Sequence, residues 1–408
     1  MSPNDIADEQ QTDSDPGTVG VVGAGIVGLA AAYYLAERGV TVTVYEQGSI
    51  GYGSGPLAVG DIHARYDREA DIRMMLASGS VWKHSDEVFG TDVGYTQTGS
   101  LVGLRNDDQV EVVCDTVLTQ HSLGLETTVE DHTAVADHCP GFDPEPFTVE
   151  TYSPTGGYVD PQRAMLAFER AAEDAGVDLR TETEVVDLRQ TADGAVTGVV
   201  TESGVTATDA VVNAAGAWAP YLSESAGVDL PIEPRARRAA VVEPVHLPRE
   251  DIPLVVDFDS GVYFRRTDGE RMLVGGRFDL PGSDGDGTDA RITLDPATDT
   301  AAPIEWQWEA IERAADCASY FGPGTRVVES REGRAAVTPD GNPIIERSRP
   351  GLFTAAGFSG YGFMLAPAAG QLVTDLVVEG ETDILDPAAY SRTRFADDSD
   401  RTRTAALF

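Results

Sequence analysis

Lysine is almost missing from this chain of 408 residues: Lys83 stands alone beside 28 arginines, and 29 bases in all face 68 acids, for a net charge of −39. That balance disfavours nucleic acid and anionic membranes, where affinity rests on neutralising phosphates. Cysteine is scarce too. Cys114, Cys139 and Cys317 have neither metal nor redox spacing, so no metal site is expected and the thiols should be free in a reducing cytoplasm. The first 17 residues hold five acids, no base and no apolar run, unlike a secretory or twin-arginine signal, and are expected to be a disordered tail. Residues 18–36 are uncharged over the length of a membrane span. Their glycines, the Glu37-Arg38-Gly39 ending and the absence of basic flanks argue against stable insertion.

The acids are dispersed through a chain that is 41% hydrophobic, which favours a folded acidic surface over a disordered acidic segment. Dispersed acid with little lysine resembles the composition of salt-adapted haloarchaeal proteins. At molar salt the Debye length falls to about 3 Å, and self-repulsion is screened. The length suffices for two or three domains.

Residues 18–46, TVGVVGAGIVGLAAAYYLAERGVTVTVYE, carry the strongest signal. A valine-rich strand leads into Gly23, Gly25 and Gly28, which match G-x-G-x-x-G; a helix follows, and Glu46 closes a second strand. Gly23 permits the tight turn, Gly25 lets the backbone approach a pyrophosphate, Gly28 allows close helix–strand packing, and Glu46 accepts hydrogen bonds from a ribose. The motif alone is weak, but all its structural parts occur here in order. No second such unit follows, which favours a single dinucleotide.

Further along, a Gly/Ser loop spans Gly48–Gly60 and helices are expected near Arg68–Phe89 and Gln109–Leu123. Asp160 should cap a helix opened by Pro161 and ended by Gly176. Strands are expected at Glu184–Asp187, Val196–Thr201 and Ala210–Asn213, with more β-structure over 236–281. A surface loop is expected at Gly282–Asp289 and a helix at Ile304–Ser319. The last glycine-rich turn runs into a helix with Pro367 in its first turn.

GAGIVG, GGYVDPQRA, VVNAAGAW, TPDGNPII and GFSGYGFMLAPAAGQLV, in this order over residues 18–385, resemble the D-amino acid oxidase-type FAD oxidoreductases. Within them the sarcosine oxidase and dye-linked proline dehydrogenase β-subunits and the FAD-dependent oxidoreductase-domain group are the nearest in flavour. The resemblance implies an α/β fold, with a discontinuous Rossmann-like FAD-binding domain (18–94, 151–235, 325–390). An inserted α+β substrate domain on a mainly antiparallel sheet (95–150, 236–324) and a C-terminal tail (391–408) complete the expected organisation. It also implies the site. Gly23, Gly25, Ile26, Val27, Gly28 and Glu46 would hold adenosine and pyrophosphate, with Val185 at the adenine and Ala215, Gly216 and Trp218 beside the pyrophosphate. Ser54 and Gly55 would skirt the flavin, and Gly357, Gly360, Tyr361, Gly362, Phe363 and Met364 would form the last cofactor loop. Independently of the resemblance, glycines at a helix start present backbone N–H groups that stabilise charge on a reduced flavin.

Departures from the family bear on mechanism. Gly333 stands where monomeric sarcosine oxidases attach FAD through cysteine, so non-covalent FAD is expected. His63, Met364 and Ala335 replace the arginine or lysine with which relatives grip a substrate carboxylate. The remaining anion-binding candidates are Arg65, Arg334, Arg265, Arg266 and Arg277, because a guanidinium forms a bidentate clamp. His63, Tyr263 and Tyr361 are candidate substrate contacts; the alternative is an ordinary turn histidine for His63 and core packing for the two tyrosines. The implied reaction is oxidation of an amine or amino acid, a secondary amine favoured, by hydride transfer to flavin N5, with electrons passed to an acceptor other than oxygen. A hydroxyacid oxidoreductase, a β-subunit needing a partner chain, and a non-catalytic respiratory assembly factor are alternatives the sequence leaves open.

Overall fold

The structure, a computed structural model, describes residues 17–51, 53–54, 58–63, 65–267, 269–278 and 301–396. The expected N-terminal tail, apart from Gly17, the loop Gly282–Asp289, and residues 397–408 of the expected C-terminal tail lie outside them. Strand Thr18–Val22 is buried from its second residue onward, as an unbroken apolar run should be at the centre of a parallel sheet. It pairs in parallel with Thr41–Tyr45 on one side and Ala210–Asn213 on the other. Leu352–Ala356 and Asp178–Arg180 extend the parallel sheet outward, and antiparallel Ile344–Arg349 closes one edge.

Helices Ile26–Glu37, Pro161–Asp174 and Gly362–Val378 cover one face, where Leu29, Phe168 and Leu372 meet Val19, Val21 and Val42. An antiparallel meander, Val185–Gln190, Val196–Thr201 and Gly204–Ala207, packs Leu188 and Val199 against Val22, Tyr45 and Val211 on the other. Asp160 caps its helix by accepting from the amides of Gln162 and Arg163. Pro367 departs from expectation: it lies in the second turn, as the sixth residue of Gly362–Val378. The proline has no amide to give the Phe363 carbonyl, and the groups around it are tied sideways to helix Glu69–Lys83. Trp82 Nε1 donates to the Met364 carbonyl (2.9 Å), and the Ala368 amide donates to Ser78 Oγ (3.1 Å).

The second sheet has eight strands in the order Arg326–Val337, Glu233–Glu243, Met272–Gly276, Val262–Arg266, Leu254–Asp257, Ser100–Leu104, Val149–Ser153 and Thr128–Glu130. Its pairs are antiparallel except Leu254–Asp257 with Ser100–Leu104. Helix Ile304–Ala315 seals one face through Trp306, Ala310 and Ile311 against Phe264 and Val274. The boundary at 235/236 falls inside Glu233–Glu243, that at 150/151 falls inside Val149–Ser153, and Arg326–Val337 forms its ladder in this sheet. Alternating burial marks a strand without saying which sheet receives it. Residues 391–396 dock: Phe395 is buried, Arg394 Nε donates to Asp340 (2.8 Å), and Arg392 pairs with Glu346.

Among the described residues no helix is long and apolar enough to cross a membrane, and no group of His, Cys, Asp or Glu could hold a metal ion.

Candidate functional site

One cavity of about 570 Å³ follows the carboxyl ends of the central parallel strands, from Gly23, Glu46 and Ala214 to Gly357, and continues to Tyr263 and Arg277 on the second sheet. In open α/β sheets this is where ligands bind. Its first end is built by the glycine turn. Gly23 has φ +104°, and a Cβ there would stand 2.6 Å from the Ala214 carbonyl oxygen. At Gly28 a Cβ would stand 1.9 Å from the carbonyl oxygen of Gly23, so any side chain would push the helix off the strand. Around Gly25 a Cβ would meet nothing within 4 Å; the backbone is open to the cavity there. Helix Ile26–Glu37 has no side-chain cap and no acid in its first turn, so its free N–H groups form an anion site.

Glu46 is buried, and its two oxygens accept from the amides of Ala24 and Gly48, each at 2.9 Å. It therefore holds the turn in place while lining the cavity with Ile26, Val27, Val185, Ala215, Gly216 and Trp218.

The other end is cationic. Arg65, Arg237, Arg277 and Arg334 line it with His63, Tyr263 and Tyr361. Tyr361 precedes helix Gly362–Val378, a second helix with no side-chain cap and no acid in its first turn. The Arg277 guanidinium lies over the Tyr361 ring, 4.6 Å from its centroid, and donates to the Ser359 carbonyl (3.2 Å). His63 and Tyr66 meet the same ring edge-on, at 5.6 and 6.0 Å. Burial raises the Tyr361 phenol, but Arg277, Arg65 and Arg237 outweigh it, and the net shift is downward. Burial, then Arg65 and Arg277, hold the His63 imidazole well below its ordinary value, so it is neutral at pH 7. Burial, reinforced by Asp61, pushes the Tyr263 phenol up to about 12.

The two leading arginine candidates part company. Arg65 Nε is buried with no hydrogen-bond partner among the described residues, and Arg65 lines the cavity. Arg265 does not line the cavity and is corrected from substrate contact to structural anchor. Its Nε donates to Asp61 (2.5 Å), Nη2 to the Val59 carbonyl (2.5 Å) and Nη1 to the Arg266 carbonyl (2.8 Å), with Tyr158 beneath it. The pattern VYFRR could not reveal that an acid across the junction already occupies this guanidinium. Arg266 donates to the Pro248 and Gly269 carbonyls.

Ser54 Oγ donates to the Arg334 carbonyl, while Gly55 lies outside the described residues. Gly333, Gly357, Gly360, Gly362, Phe363 and Met364 line the cavity. Met364 Sδ accepts from the His63 amide (3.1 Å), and Phe363 stacks on Trp82. Arg237 escaped the sequence reading. Its place in the strand run ARRAAVV, Ala236–Val242, opposite Gly333, was the available signal.

A glycine-turned parallel sheet whose nucleotide end opens into a cationic chamber on a second sheet defines a two-part protein shaped to hold a dinucleotide beside an anionic ligand. Residues 18–376 match the family described as FAD dependent oxidoreductase (DAO), and the chain belongs to it. It is 28% identical to the glycine oxidase of Geobacillus kaustophilus (strain HTA426), over 92% of this chain and 96% of that protein. To FAD-dependent oxidoreductase domain-containing protein 1 of Xenopus laevis it is 27% identical, over 92% and 82%. The solved L-proline dehydrogenase from P. horikoshii is 30% identical and superposes with a TM-score of 0.83, over 94% of this chain and 98% of that one.

FAD is the family's cofactor, and the open backbone at Gly25, the two uncapped helix starts and the buried Glu46 fit a dinucleotide. Glu46→Ala should weaken FAD binding about ten- to hundredfold, the worth of a hydrogen bond to a buried charge, and excess FAD should restore the fold. Glu46→Gln, which keeps one acceptor oxygen, should lose less. Titration of apoprotein with FAD measures both; unchanged affinity in the two variants would remove Glu46 from the ribose.

Proposed function

We propose that this protein is an FAD-dependent dehydrogenase of a carboxylate-bearing amine, an amino acid or N-alkyl amino acid. The observation that carries the reading is the gathering of Arg65, Arg237 and Arg277 at one end of the cavity, in a chain with a net charge of −39. An acidic chain that concentrates guanidinium groups at one end of its cavity offers a place for an anion. Glycine oxidase and L-proline dehydrogenase among its relatives make an amino-acid carboxylate the apt anion.

Bound FAD would supply the acceptor for the hydride leaving the carbon attached to nitrogen. The chain's residues do the rest. Arg65 and Arg277 grip the carboxylate and fix which carbon faces the cofactor. Neutral His63, with Tyr263 and Tyr361, walls the substrate from water, and Tyr361 accepts a hydrogen bond from the substrate nitrogen. Arg265 holds Asp61 and so keeps the loop bearing His63 and Arg65 against the second sheet.

An anaerobic screen for bleaching of the flavin tests this reading, with amino acids, N-methyl amino acids, proline, hydroxy acids and simple amines as donors. Bleaching by carboxylate-bearing amines supports it; bleaching by hydroxy acids alone, or by none of them, overturns it.

The FAD should be non-covalent. Gly333 lies on the cavity wall, and among the described residues no cysteine lines the cavity. The protein should purify yellow, and acid precipitation should leave the colour in the supernatant. Colour retained in the pellet would contradict this.

A further inference from the structure

Arg65 also lines a second cavity, of about 10 Å³, whose walls include Ser100, Gln120, Thr127 and Ser153. Four buried polar atoms of these lining residues have no hydrogen-bond partner among the described residues: Arg65 Nε, Ser100 Oγ, Thr127 Oγ1 and Ser153 Oγ. Ser100 and Ser153 are opposite one another on paired strands, and both are at most 4% exposed. Gln120, from helix Val110–Ser122, donates through Nε2 to the Tyr66 carbonyl (2.7 Å), fastening the residue next to Arg65. Unpaired buried polar groups are costly, and four round one small space are rarer still. A space of about 10–15 Å³ admits one water, which needs two to four polar partners.

We propose that one ordered water fills this cavity and that Ser100, Thr127 and Ser153 are positioning residues for Arg65. The water accepts from Arg65 Nε–H and has three further hydrogen-bonding directions for the hydroxyls. With Nε held from the sheet side, the two Nη groups are left for the main cavity, in the orientation a bidentate carboxylate needs. The second sheet thus aims a side chain carried by the nucleotide-binding segment. This inference rests on the reading of Arg65 as the carboxylate clamp.

Two measurements test it without a known substrate. An experimental structure at high resolution should show water density between the three hydroxyls and Arg65 Nε; a dry cavity, or one filled by Arg65, overturns the proposal. Ser100→Ala and Ser153→Ala should lower the melting temperature of the FAD-loaded protein, because each removes a partner of a bound water. Were the space dry, the same changes would delete an unsatisfied hydroxyl and raise it, which would also overturn the proposal. Kinetics on the best amino-acid donor of the bleaching screen then separate positioning from structure. The double variant should raise KM about three- to tenfold, leave kcat and FAD affinity within about twofold, and add nothing in an Arg65→Ala background. If Arg65→Ala itself leaves KM unchanged, the clamp reading has failed. If it raises KM and the serine variants do not, the positioning role alone has failed.

Discussion

Arg65→Ala should lower kcat/KM for a carboxylate-bearing amine by about 30-fold to several thousandfold. Truncating one partner of a buried, hydrogen-bonded charge pair costs about 2–5 kcal/mol, and each 1.4 kcal/mol is about tenfold. The loss should vanish for an amine of similar shape without the carboxylate, so the ratio of the two substrates is the diagnostic quantity. Arg65→Lys should recover part of it, since a point charge replaces a planar fork. Arg265→Ala should behave differently. It would strand buried Asp61 without its ion pair, a change that typically costs about 3–5 kcal/mol of stability, and its signature should be a lowered melting temperature more than a carboxylate-specific KM. Equal effects of Arg65→Ala on both substrates would overturn the clamp.

Reoxidation of the reduced protein should be about a hundredfold faster with a dye or quinone than with oxygen, a ratio in keeping with the worth of one fixed charge at a developing anion. A fixed positive charge beside the flavin helps oxygen accept electrons by stabilising superoxide as it forms. The chain's one lysine, Lys83, is exposed and away from the cavity, and the Met364 side chain of the cofactor loop is an uncharged thioether accepting from the His63 amide. Arg277 is the nearest substitute, but it is engaged with Tyr361 and the Ser359 carbonyl. Stopped-flow mixing with air-saturated buffer and with dye measures the ratio, and Met364→Lys should move it toward oxygen. Hydrogen peroxide formed at the full turnover rate with no added acceptor would overturn the dehydrogenase assignment.

The nucleotide end was legible because its chemistry is local. The turn at Gly23, the packing at Gly28 and the acid at Glu46 fall within one β-α-β unit, where spacing fixes geometry. The substrate end was legible only in part, because its members come from five distant segments. Arg65 and Arg265 look alike in sequence, and only the fold shows that Asp61 and the Val59 carbonyl occupy one and leave the other open. The domain boundaries were blurred for a related reason: a β-rich stretch such as 236–281 shows strand pattern, but strand pattern carries no address, and Glu233–Glu243 finds its partner in Arg326–Val337, about 90 residues on. Pro367 was misplaced by a turn because the side chains that satisfy its neighbours, Ser78 and Trp82, lie nearly 300 positions earlier in the sequence.

The short segment from Val59 to Arg65 touches both halves of the cavity. Arg265 of the second sheet grips its Val59 carbonyl and Asp61, while the His63 amide is bonded to Met364 at the start of the last cofactor-loop helix. Settling that segment for one ligand settles it for the other. Linkage then makes the benefit mutual: whatever factor bound FAD contributes to carboxylate affinity, bound carboxylate must return to FAD affinity in equal measure. A substrate analogue added during purification should therefore slow the loss of colour on dialysis, even though it touches none of the residues at the adenosine end.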